Sequence, residues 1–181
     1  MTPRFVDFPD LSPEQRTEAA RVLRDAFADR PEAFGDQAED EVESFLSDED
    51  RAAFAAVEDG RVVGWIGRVA TYSHAWELHP LAVTPGRQRH GIGAALTREL
   101  EARAKAAEVI TLYLGTDDEY GGTSLHGSDL YPDVAGKIAG VTATARGHAF
   151  AFYRRLGYEI VGLIPDANGP GKPDILMAKR L

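Results

Sequence analysis

Apolar and polar positions change period several times along this chain, and each change predicts an element. Phe5–Phe8 is a short apolar run that predicts an edge strand. From Pro13 to about Ala28 the period is helical, and Ala19, Val22, Leu23, Ala26 and Phe27 fall on one inner face. Ser12-Pro13-Glu14 opens that helix with a capping residue, a proline at the first helical position and an acid in the first turn. A second, acidic helix is predicted over about 37–47, with Val42, Phe45 and Leu46 inward. The period then shortens to that of strands: Ala52–Val57 and Arg61–Thr71 flank the turn signal Asp59-Gly60, and Ala75–Val83 follows. Ile92–Ala107 returns to helix, with Ile92, Leu96 and Leu100 four apart. Val109–Leu114 predicts a buried strand, Gly147–Leu156 a helix ended by Gly157, and Tyr158–Ile164 and Asp174–Lys179 the last two strands.

The order β, α, α, three strands, α, β, α, β, β describes a mixed α/β domain. Residues 116–146 fit no period, being long and rich in Gly, Asp and Thr. Loops of that length in a compact domain are usually functional or disordered. Within the stretch, Leu130-Tyr131-Pro132-Asp133-Val134 suggests a short ordered piece of unassigned type.

Length and composition narrow the class. At 181 residues and 44% hydrophobic, the chain suits one domain with a substantial core. No apolar run reaches membrane-spanning length, and MTPRFVDFPD has no signal-peptide core, so the expectation is a cytoplasmic protein. The absence of cysteine excludes disulfides, thiolate metal sites and a cysteine nucleophile. The five histidines lack metal-motif spacing, and no metal is expected. Net charge is −9 and uneven: the first 60 residues hold 17 acidic and 6 basic side chains, the remainder 12 and 14. That balance speaks against nucleic acid and suits a cationic ligand, although solubility alone explains an acidic surface too.

The strongest chemical signal lies between Val83 and the helix that begins near Ile92. Gln88-Arg89-His90-Gly91-Ile92-Gly93 places two glycines and neighbouring arginines at a helix start. The N–H groups and partial positive charge there favour a phosphate, and glycine lets it approach. The Walker pattern is absent. The dinucleotide pattern fails at Leu96, where a third glycine would stand. The motif resembles the coenzyme A pyrophosphate loop of the GNAT superfamily of N-acetyltransferases. Leu81-Ala82-Val83 before it is similar to that family's pantetheine-binding strand, and Phe152-Tyr153-Arg154-Arg155-Leu156-Gly157-Tyr158 to its later aromatic motif. The resemblance covers nearly the whole chain. It implies a central, mostly antiparallel sheet of about six to seven strands, splayed between the fourth and fifth and flanked by about four helices. Acetyl-CoA would be the cosubstrate. The backbone of Gln88, Arg89, His90, Gly91, Ile92, Gly93 and Ala94 would hold the pyrophosphate. Leu81, Ala82 and Val83 would carry the pantetheine arm as an added strand. Tyr153 would contact the cofactor and protonate the departing thiolate. His148 stands where many members have an asparagine that touches pantetheine.

Three further strings resemble aminoglycoside 6′-N-acetyltransferases: WELHPL at Trp76–Leu81, LGTDDEYGGTSL at Leu114–Leu125, and IPDANGPGKPDI at Ile164–Ile175. An aminoglycoside carries several ammonium groups, so its pocket needs carboxylates. Asp117, Asp118 and Glu119 are candidates to bind it, Asp117 also as a catalytic partner. An exposed acidic turn is the plain alternative. Glu77 shares a strand face with His79, Leu81 and Val83, about 13 Å from Leu81 at roughly 3.3 Å per residue. It is a candidate to hold a substrate ammonium or remove its proton through water. Tyr72 and Trp76 are candidates for stacking on sugar rings. The implied reaction is direct transfer in a ternary complex, by a homodimer, with a small cationic amine as partner. Other acceptors remain open at this point, among them a polyamine, a small metabolite or a protein N-terminus. So does a non-catalytic acyl-CoA sensor.

Overall fold

The computed structural model describes residues 3–29 and 34–181, and their Cα atoms pack as two units. One runs to Ile110 and includes Leu181; the other is Thr111–Arg180. Among the described residues there are seven strands and five α-helices.

In the first unit the strands β1 (Arg4–Asp7), β2 (Arg51–Glu58), β3 (Arg61–Val69) and β4 (Ala75–Val83) pair antiparallel in chain order. Helix α1 (Pro13–Ala26) starts at a reciprocal cap: Gln15 N donates to Ser12 Oγ (3.3 Å), and Ser12 N donates to Gln15 Oε1 (3.1 Å). Its inner residues Ala19, Val22 and Leu23 join Phe8, Phe45 of α2 (Ala38–Ser47) and Trp65 in one core. Trp65 Nε1 donates to Ala19 O at 2.9 Å, so the indole fills the core without an orphaned donor. Helix α3 (Ile92–Ala106) packs Ile92, Leu96 and Leu100 inward, as their spacing predicts.

The second unit orders its strands β5 (Thr111–Asp117), β7 (Asp174–Arg180) and β6 (Glu159–Ile164), again antiparallel. Helix α4 (Val134–Ala139) starts at the last residue of the Leu130–Val134 piece, with the Asp133 side chain accepting from Gly136 N at its start. Helix α5 (Ala149–Arg155) follows.

Several expected boundaries move, those of β5 and of the last helix among them. The strand expected at Val109–Leu114 is Thr111–Asp117. Val109 N donates to Ala104 O (2.9 Å), closing the end of α3, and Ile110 N donates to His74 O (2.9 Å). The ladder with β7 then continues through Asp117 opposite Asp174. Strand pairing, rather than local apolarity, sets the ends. The helix expected from Gly147 starts at Ala149, because Gly147 has φ +76° and His148 is extended. Among the described residues no helix is long and apolar enough to cross a membrane.

Candidate functional site

In the first unit, β4 alternates cleanly. Leu78, Pro80 and Ala82 are buried, while Glu77, His79, Leu81 and Val83 are half-buried on the other face. The pairing with β3 sets Gly64 opposite Val83, Trp65 opposite Ala82 and Ile66 opposite Leu81. Thr84 N donates to Val63 O at 3.0 Å. Because bonded and non-bonded pairs alternate in an antiparallel ladder, the backbone groups of Leu81 and Val83 point away from β3. One of them, Val83 O, accepts from Gln88 Nε2 at 3.1 Å. Gly64 permits the close strand contact here, since a Cβ on it would lie 2.9 Å from Ala82 O.

The loop after β4 makes a 3-10 turn at Pro85–Arg87, and Gly91 caps α3 in the left-handed region at φ +86°. A Cβ on Gly91 would meet nothing within 4 Å, so the requirement for glycine there is conformational rather than steric. No side chain caps α3. Ala95 N, which bonds Gly91 O at 2.9 Å, is the first amide in the helical ladder. The N–H groups of Ile92, Gly93 and Ala94 therefore have no intrahelical acceptor and sit at the positive end of the helix. His90 Nδ1 lies 2.7 Å from Gln88 O. Arg87 is paired with Glu58 at the end of β2, which fixes its guanidinium to the strand rather than leaving it beside the glycines. Arg89 holds φ +61°.

Glu77 lies opposite Val69 on β3. His79 belongs to a network: its Nε2 is 3.5 Å from Glu41 Oε1, which also accepts from Arg51 at 3.0 Å. The hydrogen bond from His79 and the nearby positive charges outweigh burial and hold the Glu41 carboxyl below its ordinary value. Trp76 lies under the Arg68 guanidinium, 4.5 Å from its ring centre. Tyr72 is 68% exposed.

In the second unit the three consecutive acids part company. Asp117 ends β5, half-buried, and its Oδ1 accepts from Asn168 Nδ2 at 2.5 Å. Asp118 is fully buried. Its carboxylate accepts from Gly122 N (2.7 Å), Thr123 N (2.9 Å) and Thr123 Oγ1 (2.6 Å). Burial works to raise this carboxyl, but the donated bonds prevail and hold it below the ordinary aspartate value. Asp118, expected as an ammonium ligand, closes the loop that follows β5. Glu119 is half-buried, and its carbonyl lies 3.3 Å from His126 Nε2.

His148 is held within the second unit. It is buried, its Nε2 donates to Asp117 O (3.1 Å), and its Nδ1 accepts from Phe150 N (3.3 Å). A carbonyl on one nitrogen and an amide N–H on the other define the neutral tautomer with the proton on Nε2. Both ring nitrogens are thus occupied, and the side chain that was expected to touch pantetheine caps α5 and holds the end of β5. Tyr153 on α5 is buried, packed edge-on against Phe152 and Tyr158. Burial pushes its phenol well above the ordinary tyrosine value.

Bonds that the residue pattern did not reveal order the 116–146 stretch. Thr144 N and Oγ1 donate to Gly122 O (2.9 Å) and Gly121 O (2.8 Å), and Arg146 donates to Tyr120 O (2.6 Å). Asn168 is the polar side chain that sequence reasoning passed over. It lies inside IPDANGPGKPDI, but nothing local distinguishes a loop asparagine that reaches a carboxylate from one that faces water. Among the described residues, no group of three or more His, Asp or Glu side chains is arranged to hold a metal ion.

The profile of the acetyltransferase (GNAT) family matches residues 19–123. Among solved structures, an aminoglycoside 6′-N-acetyltransferase complexed with coenzyme A is 40% identical, covering 98% of this chain and 96% of that one, with a TM-score of 0.89. The aminoglycoside 6′-N-acetyltransferase from Enterococcus faecium is 40% identical over the same shares, with a TM-score of 0.87. An aminoglycoside 6′-acetyltransferase type Ii is 34% identical over the same shares, with a TM-score of 0.73. Among curated proteins none matches. A strand running into a left-handed glycine and an uncapped helix start, a matching family profile and these full-length similarities lead to one assignment: the chain belongs to the GNAT family of acetyltransferases.

Proposed function

We propose that this enzyme transfers an acetyl group from acetyl-CoA to a primary amine of a polycationic small molecule, the 6′-amine of an aminoglycoside. The observation that carries the reading is 40% identity, over 98% of the chain, to aminoglycoside 6′-N-acetyltransferases. The β4–α3 corner fits a pyrophosphate: its helix has no side-chain cap, and the space beside Gly91 is open. Backbone N–H groups from Arg89 to Ala94 would hold that anion, since the Gln88 N–H donates to Pro85 O at 3.3 Å. Leu81, Ala82 and Val83 present the strand edge for the pantetheine arm, with the Val83 carbonyl shared with Gln88.

Acetyl-CoA supplies the thioester whose carbonyl carbon the amine attacks. The amine must be neutral to attack. Glu77, through water, takes up its proton. Backbone N–H groups stabilise the oxygen on which negative charge develops. Tyr153 donates its proton to the leaving thiolate, and its raised pKa keeps the phenol protonated through the physiological range. Asp117, Glu119 and Glu77 attract the ammonium groups of the acceptor, and Tyr72 and Trp76 stack against its sugar rings. Asp118 and His148 support the site by holding β5, its loop and α5 in place. The two units act as one acetyltransferase domain of a cytoplasmic homodimer, and the modification confers aminoglycoside resistance.

The test is thiol release from acetyl-CoA by the purified protein with kanamycin, tobramycin, spermidine or no amine. Mass spectrometry then locates the acetyl group. Rapid release with an aminoglycoside and modification at the 6′-amine is expected. Release with spermidine alone would overturn the acceptor and leave the acetyltransferase standing.

A further inference from the structure

We infer that Asn168 is a positioning residue that makes Asp117 a one-oxygen receptor for a substrate ammonium. This inference rests on the proposed role of Asp117 at the acceptor site.

The β6–β7 loop that carries Asn168 is fixed at many points. Asp166 Oδ1 accepts from Gly171 N (2.6 Å), Asn168 N donates to Lys172 O (3.0 Å), and Lys172 N donates to Gly169 O (2.9 Å). Gly127 N donates to Gly171 O at 2.8 Å. The two glycines approach so closely that a Cβ on Gly171 would lie 2.8 Å from Gly127 Cα. Asp118 N donates to Pro173 O at 2.9 Å. A loop tied down this way holds the Asn168 amide in a set direction, and Nδ2 meets Asp117 Oδ1 at 2.5 Å. An ionised carboxylate only accepts, so the amide nitrogen must be the group that faces it.

Asp117 is held from the other side as well, through its carbonyl, by His148 Nε2. Asp174 stands directly opposite on β7, which puts two like charges on one face. The bare Gly115 relieves this: a Cβ there would lie 2.5 Å from Asp174 Oδ2, so Asp174 leans over Gly115 along the strand. Among the described residues, Asn168 is the side chain that donates to the Asp117 carboxylate. Oδ2 remains, on a carboxylate whose plane is fixed by its neighbours. A single oriented oxygen suits the point charge of an ammonium. A guanidinium prefers two oxygens side by side.

A double-mutant cycle tests this. Tobramycin binding is measured by calorimetry, and its KM and kcat by thiol release, for wild type, Asp117→Asn, Asn168→Ala and the double variant. Thermal melts run alongside. Asn168→Ala is expected to weaken tobramycin binding and raise its KM about tenfold, the loss for one charged hydrogen bond, with the KM for acetyl-CoA unchanged. In the double variant it should add little to Asp117→Asn, because Asn168 acts through that carboxylate. If Asp117→Asn weakens binding while Asn168→Ala does nothing, or if the two losses simply add, the inference is overturned and the acceptor site stands. If Asp117→Asn leaves tobramycin binding unchanged, or wild type binds none, the role of Asp117 fails first and the inference falls with it.

Discussion

Replacing Asp118 with alanine should unfasten the loop after β5. The carboxylate has no solvent exposure and receives three hydrogen bonds, two of them from the backbone N–H groups of Gly122 and Thr123. Both residues are buried, so alanine leaves two donors without an acceptor. Each orphaned buried donor costs about 1–3 kcal/mol. The Thr123 hydroxyl can rotate, and already accepts from Leu125 N at 3.1 Å, so its loss is smaller. The total is about 3–5 kcal/mol, in the range for removing one side of a buried charged interaction. For a chain of this size each kcal/mol lowers Tm by about 2–4 °C, so Asp118→Ala should melt roughly 6–20 °C below wild type. The dependence on pH has a definite sign. The folded carboxyl lies below the ordinary 3.8, so its stabilisation is present above that value and is lost as pH falls through the folded value. The gap between wild type and variant should be constant down to about pH 4 and close below it. Thermal and urea melts at neutral and acid pH measure both quantities. A variant that melts within about 2 °C of wild type but no longer binds an amine would refute the reasoning, and would return Asp118 to the acceptor site.

Tyr153→Phe should lower turnover by about 10²- to 10⁴-fold with acetyl-CoA affinity nearly unchanged; an unaltered single-turnover rate would remove Tyr153 from the chemistry. The same phenol stays protonated when folded but ionises near 10.0 when unfolded. Its contribution to stability is therefore complete below that pH and declines above it, and Tyr153→Phe should abolish that part of the alkaline decline in Tm. Gly91→Ala forces a side chain into φ +86°, which should destabilise the fold by about 1–2 kcal/mol and weaken coenzyme A binding, read by melting and calorimetry. His148→Ala removes the cap of α5 and should cost about 0.5–2 kcal/mol, with faster hydrogen exchange at Phe150; unchanged exchange would contradict the capping role.

Much of the fold was legible in the sequence because its signals are local. The cap at Ser12, the Asp59-Gly60 turn and the inner faces of α1, α2 and α3 follow from side-chain type and period alone. The glycine that opens α3 was legible for the same reason: a left-handed residue at a helix start calls for glycine wherever it occurs. The alternation of β4, with Glu77, Leu81 and Val83 on one face, needed only the two-residue repeat of a strand.

Tertiary structure decided what depends on partners distant in sequence. The ends of β5 were set by its ladder with β7, some sixty residues on. The sequence presents Asp117, Asp118 and Glu119 as three equal acids, but the fold separates them. Asp118 turns inward onto Gly122 and Thr123, and Asp117 meets an asparagine 51 residues away. His148 became a cap and a strand anchor because Asp117 O and Phe150 N met its two nitrogens. Periodicity reports which face of an element is buried. Which polar group finds which is a matter of long-range geometry, and that geometry made supports of Asp118 and His148.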